Sequence, residues 1–303
     1  MRVPIIFLAG YGRENRVFLD ARKLWSLYTA IDSTVNKHYF VISNLALEPG
    51  EIFFRDGDLN VGVAAELKTK LAEDSTRFEV TGSWSVVENR IILERNIRAF
   101  EYILESNPGP FWLFASSVTS MIGFDRLANL IADWPCRNTY GGKIEFIQLP
   151  DGKYMTFPSG SGILYSRDMV ELIVSRSRQY SHDLASDVWL GLTLLDQTRT
   201  PLFRFDVTDV PDKSDNYFSQ QQAKIHAAVR AGHFHLRVKT SGNSALAPDR
   251  YKTDVNLLVE AMQAFSTIRE VNQSTCGMWE NECARYSVAG STSIPAIVDL
   301  PRP

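Results

Sequence analysis

Cysteine is scarce in this chain of 303 residues: Cys136, Cys276 and Cys283 leave one thiol unpaired under any scheme. Cys276 and Cys283 could bridge, but nothing else suggests an oxidised framework. Their spacing also lacks the partners that a zinc site needs. A basic surplus is missing too. A net charge of −3 leaves nothing with which to neutralise a nucleic-acid backbone, so no nucleic-acid partner is expected. A local Arg or Lys pair can still hold a diphosphate on a mildly acidic protein. No apolar run is long enough to cross a bilayer, and MRVPIIFLAG is broken by glycine too early for a signal sequence or anchor. A cytoplasmic, reduced protein is the expectation. The phosphate loops GxxxxGKS/T and GxGxxG are both absent, which lowers the standing of an unrelated nucleotide-dependent α/β enzyme.

The content that is present is globular: 45% hydrophobic and 22% charged residues, with length enough to bury a sizeable core. VPIIFLAG (3–10) is apolar on both faces, as a central covered strand would be, and ends at Gly10 and Gly12. RVFLDARKLWSLYTAI follows with helical spacing, then HYFVIS (38–43) and EIFFRDG read as strands. Residues 60–73 are expected to be helical and RFEVTG a short strand. In ENRIILERNIRAFEYILES (88–106), Ile92, Ile97, Phe100 and Ile103 recur near the 3.6 period of an amphipathic helix. GPFWLFASS (109–117) returns to strand character, and FDRLANLIADWP reads as a helix stopped by Pro135. Strands alternating with helices through residue 135 predict a mostly parallel α/β sheet.

Beyond that point the pattern changes. KIEFIQLPDGKYMTFPSG reads as a hairpin turning at Pro150, Asp151 and Gly152. SRDMVELIVSRS and SDVWLGLTLLDQ read as helices with Ser or Asp caps. The tail from about residue 270 is rich in Ser, Gly, Thr and Pro, as an extended or poorly ordered arm is.

One stretch is unusual: FPSGSGILYSRDMVELI (157–173) sets two glycines and two serines directly before strand and helix. Small residues there let a backbone approach a second strand or a ligand. Together with SHDLASDVWLGLTLL, FWLFASSVTSMIGFDRL and HFHLRVK (233–239), it resembles the ordered motif set of the β-1,3-galactosyltransferase and Fringe-like glycosyltransferases. The likeness runs over residues 88–262. It implies a GT-A fold, an α/β domain with a mixed, mostly parallel central sheet flanked by helices. Residues 1–269 would form it, about 1–135 as the nucleotide-binding half and 136–269 as the acceptor half, with 270–303 as tail. The implied activity is inverting transfer of a sugar, from a UDP-sugar or similar donor, to a glycan, glycolipid or protein acceptor. A non-catalytic nucleotide- or carbohydrate-binding relic of the same fold is the alternative.

The departure from the family is at its metal motif. Where an Asp-x-Asp is usual, this chain reads Phe114-Ala115-Ser116-Ser117-Val118-Thr119-Ser120. Mg²⁺ and Mn²⁺ prefer anionic oxygen ligands, so a divalent ion would be held weakly, and metal-independent transfer is expected. In the resemblance Asp187 is the general base, unless it only caps its helix; His182 and Asp183 stand in reserve. Gly160 and Ser161 form a close-approach wall. Ala9, Gly10, Arg13 and Arg16 follow the first strand to the nucleotide, and Ser116, Ser117 and Ser120 take the vacated metal position. His235, Arg237 and Lys239 meet the pyrophosphate, and either Arg95 or Arg98 aims at the donor. His233 shares a strand face with His235, and Tyr140, Trp134 and Trp189 are candidates for stacking on a sugar or for the core.

Overall fold

Side chains of successive strand residues point to opposite faces of a sheet, and in this chain they part into two cores. In β5 (Trp112–Ser117), Trp112 and Phe114 join one cluster, whereas Leu113 and Ala115 join the other. β2 (Lys37–Asn44) divides likewise, with Phe40 on the first side and Tyr39 and Val41 on the second. The computed structural model that displays this describes residues 5–9, 16–31, 37–44, 47, 51–55, 58–62, 86–177, 184–208, 217–239, 248–268 and 293–298.

Helices cover both faces. On the first lie α1 (Arg16–Ile31), through Ala21, Trp25 and Tyr28, and the helices α6 (Tyr217–Arg230) and α7 (Pro248–Thr267), with the short α3 (Phe124–Leu130). On the second lie α2 (Val86–Ser106), through Leu93, Ile97, Phe100 and Ile103, with α4 (Arg167–Arg176) and α5 (Ser186–Thr193). Each fully buried Leu, Ile or Phe contributes about 1.5–3 kcal/mol, so every helix is held by its apolar stripe rather than by its propensity.

The main sheet also contains β1 (Ile5–Ala9), β3 (Ile52–Arg55), β4 (Asp58–Gly62), β7 (Tyr140–Gln148), β8 (Tyr154–Ser166), β9 (Thr200–Pro201) and β12 (Ile297–Val298). Its order is β3-β4-β2-β1-β5-β8-β7-β9, with β12 on β8. β4, β2, β1 and β5 are mutually parallel, whereas β3, β8 and β12 pair antiparallel with their neighbours. The sheet is therefore mixed, with β3 and β8 running against the other strands. From β1 the chain goes by α1 to β2 on one side, and later by α2 to β5 on the other, so the topology reverses between β1 and β5. A smaller sheet, β10-β11-β6, is built from β6 (Ser120–Ile122), β10 (Phe205–Thr208) and β11 (His235–Lys239).

Several expectations need correction. Residues 60–62 end strand β4 rather than open a helix, since they pair with β2. α3 stops at Leu130, before Pro135 could end it. Ser166 does not cap α4 through its side chain, because its hydroxyl donates instead to Asp168 Oδ1 at 2.5 Å. The N-cap of α5 is Ala185, which puts Ser186 and Asp187 inside the first turn. The tail, expected to be extended or poorly ordered, contributes an extended strand where it is described: β12 pairs with Met155 and Tyr154, and Ile294 bridges Arg199. Residues 63–85, Cys276 and Cys283 lie outside the described residues.

Candidate functional site

The Ser-Gly-rich stretch is a large bulge in β8. Ile144 of β7 faces Pro158 and Gly142 faces Ile163, so one residue of β7 opposes four of β8, Ser159–Gly162. A bulge bends its strand and re-aims it; here β8 moves on to pair with β5, Gly162 facing Ser116. The glycine approach is to protein. A Cβ on Gly162 would lie 2.1 Å from His235 Cε1, and one on Gly142 would lie 2.6 Å from the Gly162 carbonyl oxygen. His235 is 2% exposed and meets Phe114 edge-on, so it has nowhere to go. Gly162→Ala is expected to lower stability by about 3 kcal/mol in a denaturant titration. In a His235→Ala background the same change should cost little; equal costs in both backgrounds would disprove the contact.

The end of β5 is lined by hydroxyls that bond one another and the bulge. Ser116 Oγ donates to the Ser161 carbonyl at 2.9 Å, Ser117 Oγ and Thr119 Oγ1 share a 2.7 Å bond, and Thr119 N donates to Ser117 Oγ at 3.1 Å. Trp25 Nε1 clamps the turn by donating to Val118 O. These groups do not fit a hard divalent cation. No carboxylate stands among them, and no group of three or more His, Cys, Asp or Glu among the described residues could hold a metal ion.

The carboxylate at the head of α5 meets the bulge directly. Asp187 Oδ2 accepts from Gly160 N at 2.9 Å and Oδ1 from Val188 N at 3.0 Å. Its place in the first helical turn also favours a negative charge, by about 0.3–1 kcal/mol. Beneath it Tyr140 and Tyr165 stack with centroids 5.7 Å apart, and burial raises both phenol pKa values.

On the other side of the bulge is an ion network. Arg204, whose side chain is 4% exposed, donates through Nε and Nη2 to Asp206 at 2.6 and 3.1 Å, and through Nη1 to Ser159 Oγ at 3.1 Å and to Ser161 Oγ. Lys143, the residue of β7 opposite the bulge, donates to Asp206 at 3.0 Å and lies 3.4 Å from Glu145. Burial acts against ionisation of Asp206, but Arg204 and Lys143 outweigh it and hold the pKa low.

The two histidines are held neutral. Burial, then Arg126, lowers His233 from 6.5 to about 4, and burial sets His235 well below its ordinary value. Below pH 6.5 the unfolded chain takes up protons that the fold refuses. Stability is therefore full above about 6.5 and falls as the pH drops towards about 4. Melting temperatures measured from pH 7 to 4 should fall in that window, and His233→Gln should flatten part of the slope.

The structure thus brings Ser116, Ser117, Gly160, Ser161, His235 and Asp187 together around one bulge. Ala9 ends β1 opposite Ser117, and Lys239 ends β11. Arg16 opens α1. Nothing is described of the Arg16 and Lys239 side chains, and Gly10, Arg13, His182 and Asp183 lie outside the described residues. His235 is packed and offers no open face to a diphosphate. Arg98 pairs with Glu101 at 2.8 Å and buried Arg95 bonds Asn96; Trp189 and Tyr140 are core residues. Sequence reasoning missed Lys143, Arg204 and Asp206. The signal available was the i, i+2 pair Arg204 and Asp206 entering a strand.

No family model matches this chain, and no curated protein matches it. Among solved structures it is similar to the galactosyltransferase LgtC in complex with donor and acceptor sugar analogs. That likeness has 11% identity and a TM-score of 0.42 and covers 90% of this chain and 99% of the other. At that score it bears no weight for function.

Proposed function

We propose that the chain transfers a sugar from a nucleotide-diphosphate donor to a hydroxyl acceptor, with inversion and without a divalent ion. The supporting observation is the topological reversal between β1 and β5. In open α/β sheets, ligands bind beyond the carboxyl ends of the strands at such a point. Here that point adjoins the Ser116–Ser120 hydroxyls and, across the bulge, the Asp187 carboxylate. Asp187 takes the proton of the acceptor hydroxyl as its oxygen attacks the anomeric carbon. The anomeric bond to the donor breaks, and the diphosphate leaves with the bonding electron pair. Hydroxyls, guanidinium groups and backbone N–H donors stabilise the charge on that leaving group.

The test is a panel of UDP-, GDP- and dTDP-sugars with a mixture of glycan acceptors, with and without EDTA, reading released nucleoside diphosphate. Turnover unaffected by EDTA is the expected result; no release from any donor would sink the transfer reading. A second reading, a binding protein without turnover, draws on the Asp187 geometry. Both carboxylate oxygens already accept backbone N–H groups, as a purely structural latch would. Nucleotide binding with no turnover on the whole panel would favour it.

A further inference from the structure

A bulge carries residues outside the regular ladder, so something other than strand pairing has to fix its shape. Ser159, Gly160 and Ser161 are in that position, between the pairs Ile144–Pro158 and Gly142–Ile163. They are held by side chains from other elements. The Ser161 carbonyl accepts from Ser116 Oγ at 2.9 Å, and Gly160 N donates to Asp187 Oδ2 at 2.9 Å. Both serine hydroxyls accept from a single nitrogen, Nη1 of Arg204.

Arg204 is itself fixed. It immediately precedes β10 of the smaller sheet, and its Nε and Nη2 donate to the two oxygens of Asp206 at 2.6 and 3.1 Å. A guanidinium gripped along one edge by a carboxylate is set in its plane, so its remaining nitrogen has one direction. Lys143 holds that carboxylate in turn, donating to it at 3.0 Å. Gly160 sits between the two serines that Nη1 grips. A Cβ on Gly160 would lie 3.2 Å from Asp187 Oδ2 and 3.3 Å from Asp187 Cβ, so the bulge backbone touches this side chain directly. The other oxygen, Oδ1, accepts from Val188 N in its own helix. The Gly160 bond is therefore the one that ties the carboxylate to the sheet.

We propose that Arg204 is the positioning residue of the site: by gripping Ser159 and Ser161 it holds Gly160 N against Asp187 and so aims the carboxylate. This rests on the role given to Asp187 under the proposed function, and it extends the machinery to the edge of the smaller sheet. Arg204 acts only through the bulge. The demand for such a clamp is physical, since a reacting group misplaced by about 1 Å loses about 10²-fold in rate.

The experiment is a double-mutant cycle in the full chain, pairing Arg204→Gln with Asp187→Asn. It is read by release of nucleoside diphosphate from the UDP-, GDP- and dTDP-sugar panel. Arg204→Gln should lower kcat about 10–100-fold and leave KM for the donor within about twofold. In the Asp187→Asn background it should add no further loss, because the base through which it acts is gone. Equal losses in both backgrounds, or a raised KM with kcat unchanged, overturn the proposal. Arg204→Gln also takes two donors from Asp206, so Ser159→Ala/Ser161→Ala is measured beside it. That variant keeps the Arg204–Asp206 pair, removes only the hydroxyls it grips, and should show the same split. Wild-type kcat in it overturns the clamp, even where Arg204→Gln unfolds. A second cycle needs no turnover. Asp187→Ala should lower the melting temperature less in the double-serine variant than in wild type, because the bond to Gly160 is already loosened. Additive shifts overturn the clamp. Coupled shifts with no release from any donor uphold the clamp and remove the transfer reading.

Discussion

Asp187→Asn is expected to cut release of nucleoside diphosphate from the sugar donor by about 10²–10⁴-fold, the usual contribution of a positioned general base, and to leave the fold intact. The two consequences separate because the side chain does two jobs. Its Oδ2 accepts the Gly160 N–H across the bulge, and the carboxamide oxygen of Asn can take over that bond, leaving only the adjacent Val188 N–H without its side-chain acceptor. Its negative charge, needed to receive a proton, is lost. Asp187→Ala removes both, so it should match the Asn variant in turnover yet lose a further ~1 kcal/mol of stability from the orphaned N–H. Rates and melting temperatures of the two variants decide the matter. Equal turnover in Asn variant and wild type would move the base elsewhere; an Asn variant that unfolds would make the residue a latch.

Arg199→Met carries the largest expected loss of stability. Arg199 is 0% exposed, and no carboxylate among the described residues is bonded to its guanidinium. It donates instead to carbonyl oxygens: Thr156 at 3.1 Å, Leu194 at 2.7 Å, Gly191 at 2.9 Å, and Gln197. It also lies over the Tyr140 ring, 5.2 Å from the centroid. Two of the acceptors close the carboxyl end of α5, where a cation opposes the helix dipole. Methionine fills similar space but donates nothing to those carbonyls, of which Leu194 O keeps the N–H of Gln197 at 2.9 Å. The loss should be about 3–5 kcal/mol, or on the order of 10 °C in melting temperature for a chain of this size. Because α5 carries Asp187 at its other end, the variant should also lose turnover at temperatures where it remains folded. A change below ~1 kcal/mol in chemical denaturation would show that water replaces the guanidinium there.

Much of this fold could be read in the sequence where period and burial coincide. α1 was readable to the residue, and α2 was readable from Ile97, Phe100 and Ile103, which are buried. α6 and α7 were not. Their inner faces carry Gln221, Asp254 and Glu260 among Ile225, Val229, Leu257 and Phe265, and buried polar residues erase the apolar stripe. At the site, the Ser-Gly stretch announced a close approach but not its object. What Gly162 admits is His235, which comes from another strand 73 positions later. Likewise Lys143 meets Asp206 across 63 residues. Such meetings are set by strand order, which no local window contains.

The strand β12 has a bearing on how the chain is made. Thr156 in β8 bonds the carbonyls of Pro295 and Ala296, 139 and 140 positions further on. Contacts so remote in sequence form slowly, since closing the loop costs entropy before any contact repays it. On the ribosome, β8 and the neighbouring Arg199 therefore wait for the residues near 295 to emerge before this edge of the sheet is sealed.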